Sequence, residues 1–334
     1  MTALLDAAVV GVGTIGERHA RLLAEHPETS LRAVVDQDGK RASSVGETYD
    51  AAIVTEELAD VLSDDEVDVV VIATPERDHL ASTREALEHG CHVLLEKPIA
   101  ETLADARRIG ELVDGTSEQL MIAYCCRFDR EYAALKEKLK NAEFGSLLGV
   151  QAARVGSIES YERAAHWTHP VYYLAVHDID MLRWYVGEEV ERVSAFASSG
   201  IGDEPTPAVL STTIEFPSGT VGTIETNWAR HRDHPVELTQ EIRLTGTDGY
   251  ARLVVEDDGV PVTDNTGFTY TPTSECHGRL RGMYRNQLDA FVRCIREGTP
   301  PPVTWQDGIQ SLAVANAIRE SVDREQPVEV TDPL

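Results

Sequence analysis

Lysine is scarce in this 334-residue chain, and one of its five lysines, Lys97, sits in "HVLLEKPIAE" after an apolar, strand-like run and before a proline. Three of the others, Lys136, Lys138 and Lys140, lie in the polar run "LKEKLK", where a solvated helix face accounts for them. An ammonium group at the end of a buried strand can instead bind a hydroxyl and exchange its proton. In "VYYLAVHDIDMLRWYVG", a helix that turns Val176, Ile179, Leu182 and Val186 inward sets His177 at the edge of the buried stripe. Tyr173 and Asp180 are then one turn away. An imidazole there can give or take a proton near neutral pH.

A third pattern, "GVGTIGERHA", places Gly11, Gly13 and Gly16 in G-x-G-x-x-G spacing between an apolar strand and an amphipathic helix. The first glycine permits the tight turn, the second admits a pyrophosphate, and the third lets helix approach strand. With Thr14 and Ile15, the start of that helix then offers unpaired N–H groups to phosphate. The next strand, "LRAVVD", ends at Asp36, at the spacing of a carboxylate that binds a ribose 2′-hydroxyl. It would repel a 2′-phosphate, so NAD is the expected cofactor, with NADP left open by the nearby Lys40 and Arg41.

The elements that must position these groups follow in rhythm. Short apolar strands alternate with helices up to about residue 123, which implies a parallel sheet with right-handed crossovers. Ligands of such sheets sit beyond the carboxyl ends of the strands. Thr74, Pro75 and His79 of "ATPERDH", and Glu96 and Lys97 of "EKP", fall at those ends and are expected at the cofactor. From Leu148 the segments lengthen and alternate apolar with polar residues, with "PSGT" and "GTDG" as hairpin turns. The expectation is therefore α/β: an N-terminal Rossmann domain over residues 1–123, then an α+β domain over 124–334 with a large, mostly antiparallel open sheet. One face of that sheet would be covered by helices and the other by another subunit, giving a homodimer or homotetramer.

The charge of −27 comes from 57 acidic against 30 basic residues. It argues against nucleic acid and anionic membrane as partners. High acid with little lysine fits a halophile's cytoplasm, where salt screens self-repulsion. No apolar run reaches membrane-spanning length, and the N-terminus shows no signal-peptide pattern. Melting temperature is accordingly expected to rise steeply with KCl, and a flat response across KCl concentrations would contradict this reading. The odd set of five cysteines, without C-x-x-C spacing, predicts small buried side chains rather than disulfides or zinc. The H-x-x-H pairs His166/His169 and His231/His234 lack an evident third ligand, so no metal is expected.

Taken with "ATPERDH", "YCCRFD", "HDIDMLRW" and the ending "NQLDAFVRCIREGTPPPVTW", these motifs resemble the glucose–fructose oxidoreductase, inositol dehydrogenase and MocA family over nearly the whole chain. The resemblance implies a dinucleotide domain followed by an α/β domain on an open sheet. It implies hydride transfer between a sugar, nucleotide-sugar or cyclitol ring carbon and nicotinamide. Lys97 would contact the substrate hydroxyl and the nicotinamide ribose, and His177 would take the hydroxyl proton. Relatives often carry aspartate four residues before this histidine, where this chain has Tyr173, a third catalytic candidate whose phenol can hold the imidazole or itself contact substrate but cannot stabilise imidazolium as an anion would. Tyr124, Arg127, Arg154, His166, Trp167 and Tyr173 are the further substrate-binding candidates. Two other readings share the fold: an enzyme that retains NAD for transient oxidation, and a non-catalytic NAD- or sugar-sensing protein.

Overall fold

Six short strands rich in Val, Leu and Ile build the first sheet: β1 (Leu5–Val10), β2 (Thr29–Val35), β3 (Ile53–Thr55), β4 (Val69–Ile72), β5 (His92–Leu95) and β6 (Leu120–Ile122). β4 and β6 are buried along their whole length, and β5 from its second residue on, as expected of strands covered on both faces. Every pairing is parallel, in the order β3-β2-β1-β4-β5-β6. The crossovers carry α1 (Thr14–Glu25), α2 (Gly39–Tyr49), α3 (Ala59–Leu62), α4 (His79–Glu88) and α5 (Leu103–Asp114). In this computed structural model the described residues are 3–334 except 64–65, 235, 257–258, 265–266 and 273–274.

The second sheet is mixed. β7 (Leu147–Ser157), β8 (Arg192–Ala197), β9 (Val209–Glu215), β10 (Val221–Arg230), β11 (Leu238–Gly246) and β12 (Tyr250–Glu256) take the order β12-β11-β7-β10-β9-β8, with a short last strand (Val328–Glu329) beyond β8. The two hairpins form where the turn residues predicted them, β9–β10 and β11–β12. At the centre, however, β7 and β10 run parallel, which qualifies the expectation of a mostly antiparallel sheet. The chain leaves β7 through a helical segment before it returns, so the two central strands point the same way.

That segment comprises α7 (Ile158–Ala164), a π-helical turn over Val171–Ala175, and α8 (Val176–Val186). It packs on the inward face of β7 and β10, where Ala152, Arg154, Ile224, Thr226 and Trp228 are buried. α6 (Arg130–Lys140) supports the same sheet, with the Tyr132 hydroxyl donating to Gln240 Oε1 at 3.0 Å.

Two compact units result: Met1–Phe128 with Cys276–Ile309 and residue 334, and Asp129–Glu275 with Gln310–Pro333. The first unit runs to Phe128, beyond the residue 123 expected as its end, and takes in a second segment. α9 (Met283–Glu297) packs with α1 and the turn at Cys125–Phe128, so the first unit is completed by a segment from late in the sequence. The last helix is α10 (Trp305–Arg324). Among the described residues no helix is long and apolar enough to cross a membrane. Four cysteines are buried, Cys276 is exposed, and none is in a disulfide.

Candidate active site

The glycine turn has the shape its spacing predicts. Gly11 has φ +80, and a Cβ there would lie 2.8 Å from the Ala73 carbonyl oxygen, so only glycine fits. A Cβ at Gly16 would collide with the Gly11 carbonyl, whereas one at Gly13 meets nothing within 4 Å. The open space thus lies at the middle glycine, where α1 begins, and a dinucleotide pyrophosphate fits there. Asp36 follows the end of β2; its Oδ2 accepts from Val12 N at 2.8 Å and its Oδ1 from Asp38 N at 2.8 Å. The carboxylate is thereby held at the turn, with Arg41 Nη1 3.5 Å from Oδ2. Lys40 and Arg41 lie in the first turn of α2, whose N-cap Asp38 accepts from both of their amides. Asp36→Ala is expected to narrow the preference for NAD over NADP, because repulsion goes and Arg41 is released. An unchanged ratio of kcat/KM values would refute that.

Thr74 and Pro75 follow β4 beside this turn, and Thr74 Oγ1 is buried without a hydrogen-bond partner among the described residues. His79 differs from its expected place at the cofactor. It is buried, with Nε2 3.0 Å from the Thr74 carbonyl and Nδ1 3.2 Å from that of Ile99. Burial lowers its pKa. The imidazole ties the β4 loop to the segment after "EKP", because both ring nitrogens are directed at backbone.

Lys97 stands at the end of β5, half-buried between the buried Glu96 and Pro98. Glu96 Oε1 is 3.0 Å from His19 Nε2, and Glu96 Oε2 accepts from Lys97 N at 3.2 Å. Burial alone would raise the Glu96 carboxyl. The His19 hydrogen bond and charge, with Lys97, more than offset it, and the net displacement is downward. The carboxylate therefore stays ionised beneath the lysine's backbone. The motif "GERHA" contained His19, but only the tertiary fold shows that it serves Glu96, which is 77 residues away.

Tyr284 was not anticipated. From the start of α9 its ring lies edge-on to His19 at 6.2 Å, with the Arg18 guanidinium 4.6 Å from its centroid. Its hydroxyl and the Cys125 thiol are hydrogen-bonded, and burial lifts the phenol well above its ordinary range. Hydrogen bonding with Cys126, then burial, likewise raises Cys125. Sequence offered no signal for Tyr284, because the contact joins positions more than 150 residues apart.

In the second unit His177 is half-buried, while Val176 and residues 178–183 around it are buried. The neighbouring Asp178 receives Arg154 Nε and Nη2, both at 2.9 Å, with Arg154 3% and Asp178 2% exposed. Arg154, expected to meet substrate, is therefore held in a bidentate ion pair that fixes α8 on β7. Arg183 Nε is 2.6 Å from Glu189 Oε2, and its Nη1 is 4.0 Å from Asp180 Oδ1. The π-helical turn alters the predicted spacing: the Val176 amide reaches back to the Val171 carbonyl, five residues away. Tyr173 turns its ring onto Trp228 at 5.0 Å and meets Trp167 edge-on at 6.0 Å.

Of the other candidates, Tyr124 is buried, and Arg127 Nη2 is 2.8 Å from Asp307 Oδ1, within the first unit. His166 is exposed. His169 accepts from Val171 N at the start of the π turn, and burial followed by the Arg319 charge lowers its pKa to about 4. His231 lies 3.5 Å from Asp233, and His234 Nδ1 accepts from Val236 N at 3.2 Å.

A glycine cradle closed by an acid at the end of the second strand, with a lysine at the end of the fifth, defines an NAD-binding oxidoreductase domain. Comparison with known sequences agrees: the family model described as "Oxidoreductase family, NAD-binding Rossmann fold" matches residues 5–124. Its companion, "Oxidoreductase family, C-terminal alpha/beta domain", matches residues 136–330. The chain belongs to this glucose–fructose oxidoreductase, inositol dehydrogenase and MocA family and is an NAD-dependent dehydrogenase. It is 27% identical over 351 residues to the myo-inositol 2-dehydrogenase of Thermotoga maritima, covering 98% of both chains. It is 30% identical over 339 residues to inositol 2-dehydrogenase 1 of Saccharopolyspora erythraea, covering 96% of this chain and 95% of that one. Among solved structures, scyllo-inositol dehydrogenase from Lactobacillus casei with bound NAD(H) and scyllo-inositol shares the fold, with a TM-score of 0.87 and 21% identity over 98% of this chain and 99% of that one.

Proposed function

We propose that this dehydrogenase acts on a CH–OH group of a sugar or cyclitol ring, with Lys97 and His177 exchanging the hydroxyl proton. The observation that carries the reading is Lys97 itself. It is half-buried at the carboxyl end of β5, an inner strand of the dinucleotide sheet, and its backbone is held by a buried, ionised Glu96. When bound, NAD supplies the hydride acceptor or donor at its nicotinamide ring. The chain supplies the rest: the glycine turn and Asp36 hold the dinucleotide, Lys97 binds and polarises the hydroxyl, and His177 takes its proton. The inositol dehydrogenases among the relatives support a polyol ring as substrate. The test is reduction of NAD and of NADP, screened against cyclitols, sugars and nucleotide sugars in molar KCl. Turnover of none of them, with NAD surviving purification on the protein, would overturn the reading in favour of an NAD-retaining or sensing protein.

The second unit's sheet supports self-association. Phe196, Val221 and Tyr250 on its strands are exposed, although threonines and charged residues surround them. At least a dimer is expected through this face. Light scattering in high salt that gives only a species near 36.7 kDa would contradict it.

A further inference from the structure

Beside Lys97 the fold keeps a negative charge that burial opposes. Glu96 is 8% exposed and yet ionised, and each of its oxygens has its own partner. Oε2 accepts from Lys97 N at 3.2 Å, and Oε1 lies 3.0 Å from Nε2 of His19, which is 1% exposed. An ionised carboxylate only accepts hydrogen bonds, so the imidazole is the donor. The Glu96 amide donates to the Ile72 carbonyl at 2.9 Å, which ties its backbone to the end of β4.

The imidazole is itself held in place. The Tyr284 ring lies edge-on to it at 6.2 Å, Arg18 stands 4.6 Å over that ring, and the Tyr284 hydroxyl is hydrogen-bonded to the Cys125 thiol. The titratable groups that face Glu96 are His19 on α1, Lys97, His79 on α4, Cys125, and Tyr284 on α9. Burial holds His79 and Tyr284 neutral, and hydrogen bonding with Cys126, then burial, does the same for Cys125. Of these groups, His19 and Lys97 are therefore the two that stabilise the carboxylate, and His19 makes the larger contribution.

We infer that His19 is a positioning residue for Lys97: its imidazole holds Glu96 as a carboxylate, and that carboxylate fixes the lysine's backbone and places a negative charge beside its ammonium group. Without the imidazole donor, an unpaired carboxyl at this depth takes up a proton, and the charge beside the lysine is lost. The inference rests on the proposed role of Lys97 and adds the residue that governs it.

Two measurements on the full chain in molar KCl test it. The first needs no substrate: NMR of protein labelled with [ε-¹³C]lysine, whose few signals are assignable because the chain has five lysines. The Lys97 signal is the one missing from Lys97→Met. In His19→Leu it should inflect between about pH 5 and 8, the range into which burial carries an unpaired carboxyl. In His19→Gln, which keeps an N–H donor without an imidazole, it should stay flat over that range, as it should in His19→Leu combined with Glu96→Gln. Should His19→Leu not fold, His19→Met also lacks the donor. The second is kcat against pH, with NAD and whichever of scyllo-inositol, myo-inositol and glucose the wild type oxidises. His19→Leu should lose about ten-fold for each pH unit below the new carboxyl pKa, because the ionised fraction falls by that factor, and should recover as pH rises. Glu96→Gln should be slow at every pH, His19→Leu should add nothing to it, and NAD affinity should stay within a few-fold throughout. A flat Lys97 signal in His19→Leu, a glutamine variant no better than leucine, a loss equal at every pH, or additive losses in the double variant would each overturn the inference. An inflection in His19→Leu alongside normal turnover by Lys97→Met would leave the hold of His19 standing and remove Lys97 from the proposed proton exchange.

Discussion

Replacing Lys97 with methionine is expected to lower turnover by roughly 10²–10⁴, the range typical of losing a positioned acid–base group, while NAD affinity stays within a few-fold. The two effects separate because different parts of the first unit produce them. On the proposed reading the cofactor's far end is held by the turn at Gly11, Gly13 and Gly16 and by Asp36, whose carboxylate is fixed by the Val12 and Asp38 amides. Lys97→Arg should fail as well, since a guanidinium stays protonated at any working pH and cannot exchange a proton with a hydroxyl. His177→Ala should lower turnover less, because water can carry a proton in its place. Cofactor binding by calorimetry and steady-state rates on the same folded preparation decide the matter. Wild-type turnover by Lys97→Met would reduce the lysine to a strand-end residue and remove it from the proposed proton exchange.

Arg154→Ala carries the largest expected loss of stability, about 3–5 kcal/mol. Removing the guanidinium leaves the Asp178 carboxylate charged and unpaired, on a helix packed against the sheet. Most of the cost is that stranded charge rather than the attraction lost, so replacing both partners with apolar residues (Arg154→Met with Asp178→Leu) should recover much of it. Urea melts at fixed KCl, followed by a probe in the second unit, give the measurement. A loss below about 1 kcal/mol for Arg154→Ala, as exposed pairs show, would mean that water reaches the pair and that it does not anchor α8. Because α8 carries His177, the single variant should also lose turnover under conditions where it remains folded.

Much of this protein can be read from its sequence because the deciding patterns are local. A strand, three glycines and an amphipathic helix within twenty residues specify the dinucleotide turn: Gly11 and Gly16 answer close backbone approaches, and Gly13 leaves open space where α1 begins. The alternation of apolar strands and helices specifies the parallel sheet, and the turns "PSGT" and "GTDG" specify the two hairpins found in the second. Lys97 and His177 could be singled out because strand end and helix face are properties of short segments.

What the tertiary structure alone decided involves distant partners. Arg154, expected at substrate, is held by Asp178, and His79, expected at the cofactor, directs its two nitrogens at the Thr74 and Ile99 carbonyls. Tyr284 and His19 emerged only when α9 returned to complete the first unit. The parallel pair at the centre of the second sheet arises from the path the chain takes around it, which no alternation pattern encodes. The π turn over Val171–Ala175 and the packing of the Tyr173 ring on Trp228 are likewise tertiary features that helical spacing alone does not show. Local preference sets the elements and the types of group they carry; which groups remain open to a ligand depends on contacts made across the fold.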